Sequence, residues 1–186
     1  EADPEVLRTM LVQTERLGRL VTQLLDLSRL ESGTVPLDRT EFAVAPLIEH
    51  AVREQALQES DVAVAVVVDD PALTADGDPE RVHQVVANLL ENAREHGGGP
   101  VRVGLAMEGR TTLLLSVDDS GPGVARGERQ RIFERFARGS AARHRVGTGL
   151  GLALVAEHAH AHGGEAWVED RPGGGARFRA SFTEVC

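Results

Sequence analysis

On either side of Gly109-Arg110 the apolar residues fall on every second position: Val101, Val103, Leu105 and Met107 before it, Leu113, Leu115 and Val117 after it. Period two in both arms, with a glycine turn between them, predicts an antiparallel hairpin with one apolar and one polar face. Such a face has to be covered, and the same chain supplies helices to cover it. Pro46, at a first-turn position, opens a helix to about residue 58, and Asp78-Pro79, an N-cap followed by a first-turn proline, opens another to about residue 96. A third runs from 149 to about 162, and further alternating strands are expected at 41–44, 62–68, 166–169 and 176–182, the last entered through Pro172-Gly-Gly-Gly175. The expected fold class is an α/β (α+β) two-layer sandwich. It has one mixed, mostly antiparallel sheet of about five strands with three helices on one face, preceded by one long helix.

That first helix, residues 4–31, carries Met10, Leu17, Leu20, Leu24 and Leu27 at heptad-like spacing, and Leu7, Leu11, Val21 and Leu25 widen the stripe. A seam this broad wants partner helices, because little of the remaining domain lies on its side. Glu31-Ser-Gly33 ends it, so the chain divides into a helical segment 1–33 and a domain 34–186.

Hydrophobic residues make up 41% of the chain and aromatics only 3%, so the core is built from Leu, Val and Ala. The longest apolar run, 62–68, falls far short of the roughly 20 residues of a membrane span, and the opening Glu-Ala-Asp-Pro gives no expectation of a signal peptide. A net charge of −9 argues against a general nucleic-acid binder. All 20 basic residues are arginines, and seven of them lie between Ser120 and Thr148 with only Glu128 and Glu134 opposing. That stretch exceeds the about 12–15 residues of ordinary connections, and segments of such length are functional lids or disordered. A cationic lid on an acidic protein suits a small anionic ligand. Cys186 is the single cysteine, so an internal disulfide is excluded.

Three segments carry the candidate chemistry, two of them flanking this stretch. On helix 79–96, Asn88, Asn92 and His96 form one line at i, i+4 and i+8 beside the apolar stripe of Val82, Val85, Val86, Leu89 and Ala93. Paired carboxamides at a core edge are costly without partners, and their oxygens are hard ligands suited to Mg²⁺. Asn92 is the better direct metal ligand, with Asn88 possible beside it; two helix asparagines alone are more simply loop bridges. Asp119 shares the inward parity of Leu113, Leu115 and Val117, whereas Asp118 should face out. A buried carboxylate needs a donor such as an exocyclic adenine amine, and Gly121 and Gly123 allow a base to approach. Finally, Gly147-Thr148-Gly149-Leu150-Gly151 opens the last helix, whose free N–H groups and dipole suit phosphate. Neither the P-loop nor the dinucleotide pattern fits it.

Taken in order, Asn88-Leu-Leu-Glu-Asn92-Ala, Asp119-Ser-Gly121-Pro-Gly123 and Gly147-Thr-Gly149-Leu-Gly151-Leu resemble the N, G1 and G2 boxes of sensor histidine kinases, within the Bergerat ATP-binding superfamily that includes gyrase-type ATPases. Ile132-Phe133-Glu-Arg135-Phe136-Ala-Arg138 looks like the F box, and Gly173-Gly-Gly175-Ala-Arg-Phe178 like the closing G3 element. Segment 1–33 is similar to the second helix of the dimerisation and histidine-phosphotransfer bundle, leaving 34–186 as the catalytic ATP-binding domain with lid 120–148.

The resemblance implies that Asp119 binds adenine, that Asn92 holds Mg²⁺, and that Gly149, Leu150 and Gly151 meet phosphates through backbone amides. Phe133 and Phe136 would anchor the lid, and Arg138 would reach the γ-phosphate. His96, Asn88, Gly121, Gly123, Gly147 and Thr148 complete the implied ATP site. The implied activity is transfer of the γ-phosphate to a histidine, for relay to an Asp of a response regulator receiver domain. The implied parent is a homodimer at the cytoplasmic face, held to the membrane only by upstream segments.

Two positions depart from the pattern. Glu95 stands where the family often has Lys, so either Arg94 or a lid arginine supplies the charge or the affinity is lower. None of the seven histidines lies in a His-Glu-x-x-x-Pro context, so the nucleotide pocket is expected here without its acceptor. Two other functions compete. Gyrase-type ATPases carry a general-base Glu where this chain has Asn88, and Asn cannot deprotonate water; Glu91 lies further round toward solvent. A non-catalytic, nucleotide-sensing dimerisation module is the other. His158, His160 and His162 are expected to pack or be solvated, since His160 points away from its neighbours.

Overall fold

In the computed structural model, which describes residues 4–31, 36–58, 64–137 and 148–183, the hairpin expected about Gly109 is the centre of the fold. Strands β4 (Pro100–Glu108) and β5 (Thr112–Asp119) pair antiparallel with Leu105 opposite Leu115 and Val103 opposite Val117. Strand β7 (Ala176–Thr183) continues the rows, placing Ala180 against Leu115 and Phe178 against Val117, and β6 (Ala166–Asp170) closes that edge. The opposite edge is β2 (Ala65–Val68), parallel to β4, so the sheet order is β2-β4-β5-β7-β6. Of the strand expected over 62–68, residues 62 and 63 lie outside the described residues and Val64 precedes the strand.

One face of this sheet is apolar in every row and is covered by α2 (Val44–Gln58), α3 (Pro79–His96) and α4 (Gly151–Ala161). Val103, Leu113, Leu115, Val117, Phe182 and the facing Val85, Val86 and Leu89 are essentially inaccessible to solvent. Each such side chain contributes roughly 1.5–3 kcal/mol by leaving water. The other face is polar, and there Asp118 departs from expectation. It lies on that face but is buried, because cross-strand Arg177 covers it with two hydrogen bonds, Nε to Oδ1 at 2.6 Å and Nη2 to Oδ2 at 2.8 Å.

A second, two-stranded sheet pairs β1 (Thr40–Ala43) with β3 (Thr74–Gly77). The short Thr-Ala-Asp-Gly strand has no alternating apolar run; pairing with β1 makes it a strand. It leads to the N-cap of α3. Asp78 Oδ1 accepts from Arg81 N–H at 3.1 Å, while Oδ2 accepts from Asp38 N–H at 3.1 Å. Asp78 N–H in turn donates to His162 Nε2 at 3.2 Å, and His162 Nδ1 sits 2.8 Å from His158 O. These contacts fix the tautomer: Nδ1 carries the proton and Nε2 accepts. The start of α3 is thereby tied to the end of α4. Asp78→Ala should lower unfolding free energy by about 2 kcal/mol, read as a reduced urea midpoint, and Asp78→Asn by less, since it retains a cap oxygen.

Among the described residues, the first helix, α1 (Pro4–Glu31), meets this domain toward its C-terminal end, where Leu27 packs with Leu150 and Leu154 beside Leu20. Leu7, Met10, Leu11, Leu17, Val21, Leu24 and Leu25 stay exposed along the stripe. No helix among the described residues is long and apolar enough to cross a membrane.

Candidate nucleotide site

Asp119 ends β5 at the point where the sheet meets the C-terminal end of α3. A register shift between Pro100 and Arg102 sets Pro100 opposite Asp119, an irregularity typical of sheet ends near sites. The carboxylate is 3% exposed, as its parity requires. Its Oδ1 accepts two backbone N–H groups, from Gly121 and Ala176, both at 2.9 Å. Burial pushes its pKa above 3.8 despite those two donors, which act in the opposite direction.

Asp119 packs directly on two residues that lack a side chain. A Cβ on Gly97, the C-cap of α3, would lie 2.5 Å from Asp119 Oδ2, and one on Gly175 would lie 2.1 Å from Asp119 O. Neither overlap is tolerable, since the obstructing groups are a fixed carboxylate and backbone. Gly121 packs on Gly97 and Gly123 lies beside Gly175. Three glycine segments far apart in sequence therefore converge on one carboxylate. Gly97 is not one of the residues the motifs point to; its signal is Gly97-Gly98-Gly99 directly after the asparagine helix, longer than a C-cap needs.

On α3, Asn88 is buried and faces Gly151, whose ideal Cβ position is 3.5 Å from Asn88 Oδ1. Asn92 and His96 are half-buried one and two turns further on, toward the Asp119 end of the helix. His96 Nε2 lies 3.8 Å from Glu95 Oε2, and Arg94 Nη2 lies 3.9 Å from Glu91 Oε1. Arg94 thus has a carboxylate partner on its own helix, which weakens it as the substitute for the missing lysine.

Helix α4 begins at Gly151 with Leu150 as N-cap, and no side chain caps it. Its first-turn amides are left without a side-chain partner by that cap, next to Asn88. Leu150 N–H, however, is engaged by Thr148 Oγ1 at 3.2 Å, while Thr148 Oγ1 also contacts Gln23 Oε1 of α1 at 3.1 Å. The Leu150 side chain is buried against α1. Thr148 and Leu150 therefore join the pocket to the first helix.

Of the lid, residues 120–137 are described; Arg138 and Gly147, both expected at the site, lie outside the described residues. The described part contains two short 3-10 turns, Arg126–Glu128 and Arg131–Phe133. Phe133 packs against the main core with Ile132 and Val124. Phe136 differs from expectation. Its ring is 61% exposed, and its anchor is the backbone N–H, which donates to Gly149 O at 2.8 Å. Phe136 adopts φ 57°, and a Cβ on Gly149 would approach its Cα to 2.9 Å. The lid is also clasped to β6 by Arg129, which bonds the Asp170 carboxylate and holds its pKa below 3.8.

A two-layer sandwich with a recessed carboxylate, a carboxamide-bearing helix and an uncapped helix start behind a lid defines an ATPase-type nucleotide fold. The family model described as histidine kinase-, DNA gyrase B- and HSP90-like ATPase matches residues 77–185, and the chain belongs to that family. It is 38% identical over 181 residues to the signal transduction histidine-protein kinase AfsQ2 of Streptomyces coelicolor, covering 95% of this chain and 33% of that protein. Among solved structures, full-length ShkA in complex with AMPPNP matches with TM-score 0.84 and 27% identity, over 100% of this chain and 40% of that one. Histidine kinase ThkA in complex with response regulator TrrA matches with TM-score 0.76 and 26% identity, over 99% of this chain and 53% of that one. The chain spans about a third of the length of the curated relatives it matches.

Proposed function

We propose that residues 34–186 bind ATP–Mg²⁺ and present its γ-phosphate to a histidine of a two-component sensor kinase, with residues 1–33 belonging to the dimerisation and phosphotransfer bundle. The observation that carries this reading is the Asp119 carboxylate. Both hydrogen bonds converge on Oδ1, leaving Oδ2, which lies against Gly97, to accept from an adenine amine. The phosphate chain then runs toward the uncapped start of α4, where Gly149 and Gly151 expose backbone and the helix dipole favours negative charge. Leu150 would contribute its amide after exchange from Thr148.

The carboxamides of Asn92 and Asn88 fit Mg²⁺, which takes oxygen ligands and shares them with phosphate. When bound, the ion neutralises charge on the transferring group. The chain's own residues position the triphosphate and exclude water beneath the lid, which is what phosphoryl transfer demands of a protein. Thr148, His96, Gly121 and Gly123 line the same space, Phe133 and Phe136 hold the lid, and Arg138 and Gly147 are assigned to its far end. A carboxamide at residue 88 and the Glu91–Arg94 pairing both favour transfer over hydrolysis, since neither supplies a free base.

The matches to AfsQ2 and to the ThkA–TrrA complex support a receiver domain as the phosphate's destination, and the exposed stripe on α1 supports homodimerisation of the full-length protein. Isothermal titration with ATP tests the nucleotide claim. Saturable 1:1 binding that strengthens with Mg²⁺, and loses that strengthening in Asn92→Ala, is expected; wild-type chain with no saturable heat would overturn it.

A further inference from the structure

α2 presents His50 and Glu54 at i and i+4, and the adjacent α3 presents His83 against Glu54. His83 Nε2 lies 2.9 Å from Glu54 Oε2, and His50 Nε2 lies 3.4 Å from Glu54 Oε1. The two imidazoles are stacked obliquely, with centroids 5.8 Å apart at 39°. Among the described residues this is the one place where three such donors converge, each offering an atom within 4.8 Å of the others.

Close as it is, the His83–Glu54 contact is not a well-formed hydrogen bond. Nε2 of His83 is buried and has no hydrogen-bond partner of acceptable angle. That leaves His83 Nε2 available as a donor to a metal ion. Two imidazoles and a carboxylate are the donor set of three-ligand zinc sites, and zinc's bond lengths place tetrahedral donors roughly 3.3 Å apart. The two contacts to Glu54, made through different oxygens at 2.9 and 3.4 Å, lie near this spacing, and the three donor atoms are all within 4.8 Å of one another. Small rotamer changes at His50 and Glu54, both solvent-exposed, adjust it. Arg53 does not compete for Glu54, since its Nη1 lies 3.7 Å from Glu49.

We propose that His50, Glu54 and His83 form a Zn²⁺ site that clips α2 to α3, with a fourth position open to water. The clip would brace α3, the helix that bears Asn88 and Asn92, from its outer side. It stands independently of the nucleotide proposal, because none of its ligands belongs to that pocket.

Titrating ZnCl2 into nucleotide-free protein tests it, read by isothermal titration and by thermal unfolding. One zinc per chain is expected, with Tm raised by about 5–10 °C when zinc exceeds its Kd about 100-fold. His50→Ala, at an exposed position that leaves the core intact, should weaken binding at least about tenfold and so remove about half of that rise or more, as should His83→Ala. No zinc-dependent rise in the wild type, or a rise kept unchanged by His50→Ala, overturns the site.

Discussion

Asp119→Asn is expected to abolish discrimination for adenine while leaving the fold intact. Asparagine keeps an oxygen where Oδ1 accepts the Gly121 and Ala176 N–H groups, but it puts an NH₂ where Oδ2 stood. Two donors then face each other, the exocyclic amine and the new amide. A lost charge-assisted bond together with an unmade donor costs about 3 kcal/mol, roughly 100-fold in Kd. The free protein should be no less stable, because burial already disfavours the charged carboxylate. Titration of ATP and ITP against both proteins separates the effects. The wild type should prefer ATP strongly, and the variant should lose that preference. A variant that binds ATP within threefold of wild type would show that this carboxylate does not read the base.

The second large effect is acid lability seated at His158. This side chain is fully buried beneath α4, and neither ring nitrogen has a hydrogen-bond partner among the described residues. Burial, reinforced by Arg81 and His162, lowers its pKa from 6.5 to about 4. Below pH 6.5 the unfolded chain binds this proton and the folded chain does not, so acidification favours unfolding. The stability contributed is complete above about pH 6.5 and is lost progressively down to about pH 4, about 3 kcal/mol in all. His162 is shifted the same way, chiefly by burial, and adds to the slope. Asp119 acts oppositely at lower pH, since its raised pKa lets the folded state take up a proton first. Urea unfolding between pH 7 and 5 should therefore show a falling midpoint in the wild type. His158→Leu, close in volume and apolar, should flatten most of it; an equal slope in that variant would place the effect elsewhere.

Much of the sheet was legible because its inward rows are strictly alternating. Leu113, Leu115 and Val117 announce a covered face, and Asp119 inherits its direction from them. Asp78-Pro79 marks the start of α3 by cap chemistry, which is local and so visible in sequence. Strand β3 was invisible because Thr74–Gly77 has no apolar pattern and becomes a strand only by pairing with residues thirty positions away. Asp118 was misjudged for a related reason: parity gives a side chain its face, but only the register with Arg177 tells that the face is covered there.

The site divides along the same line. Asparagine spacing on one helix and the glycine pairs could be read directly, because each is a local requirement. The packing of Gly97 on Asp119, the engagement of Leu150 N–H by Thr148 and the outward ring of Phe136 are long-range contacts, which no window of sequence contains. The tie between Thr148 and Gln23 is of this kind as well, and it links the pocket physically to α1.

The most direct test of the nucleotide pocket is a backbone amide titration by NMR with AMPPNP–Mg²⁺. Saturating shifts at Gly97, Gly121, Ala176 and the first turn of α4, with the outer faces of α2 and β2 unmoved, are the predicted result. Saturable binding that leaves those amides in place and moves another surface would contradict it.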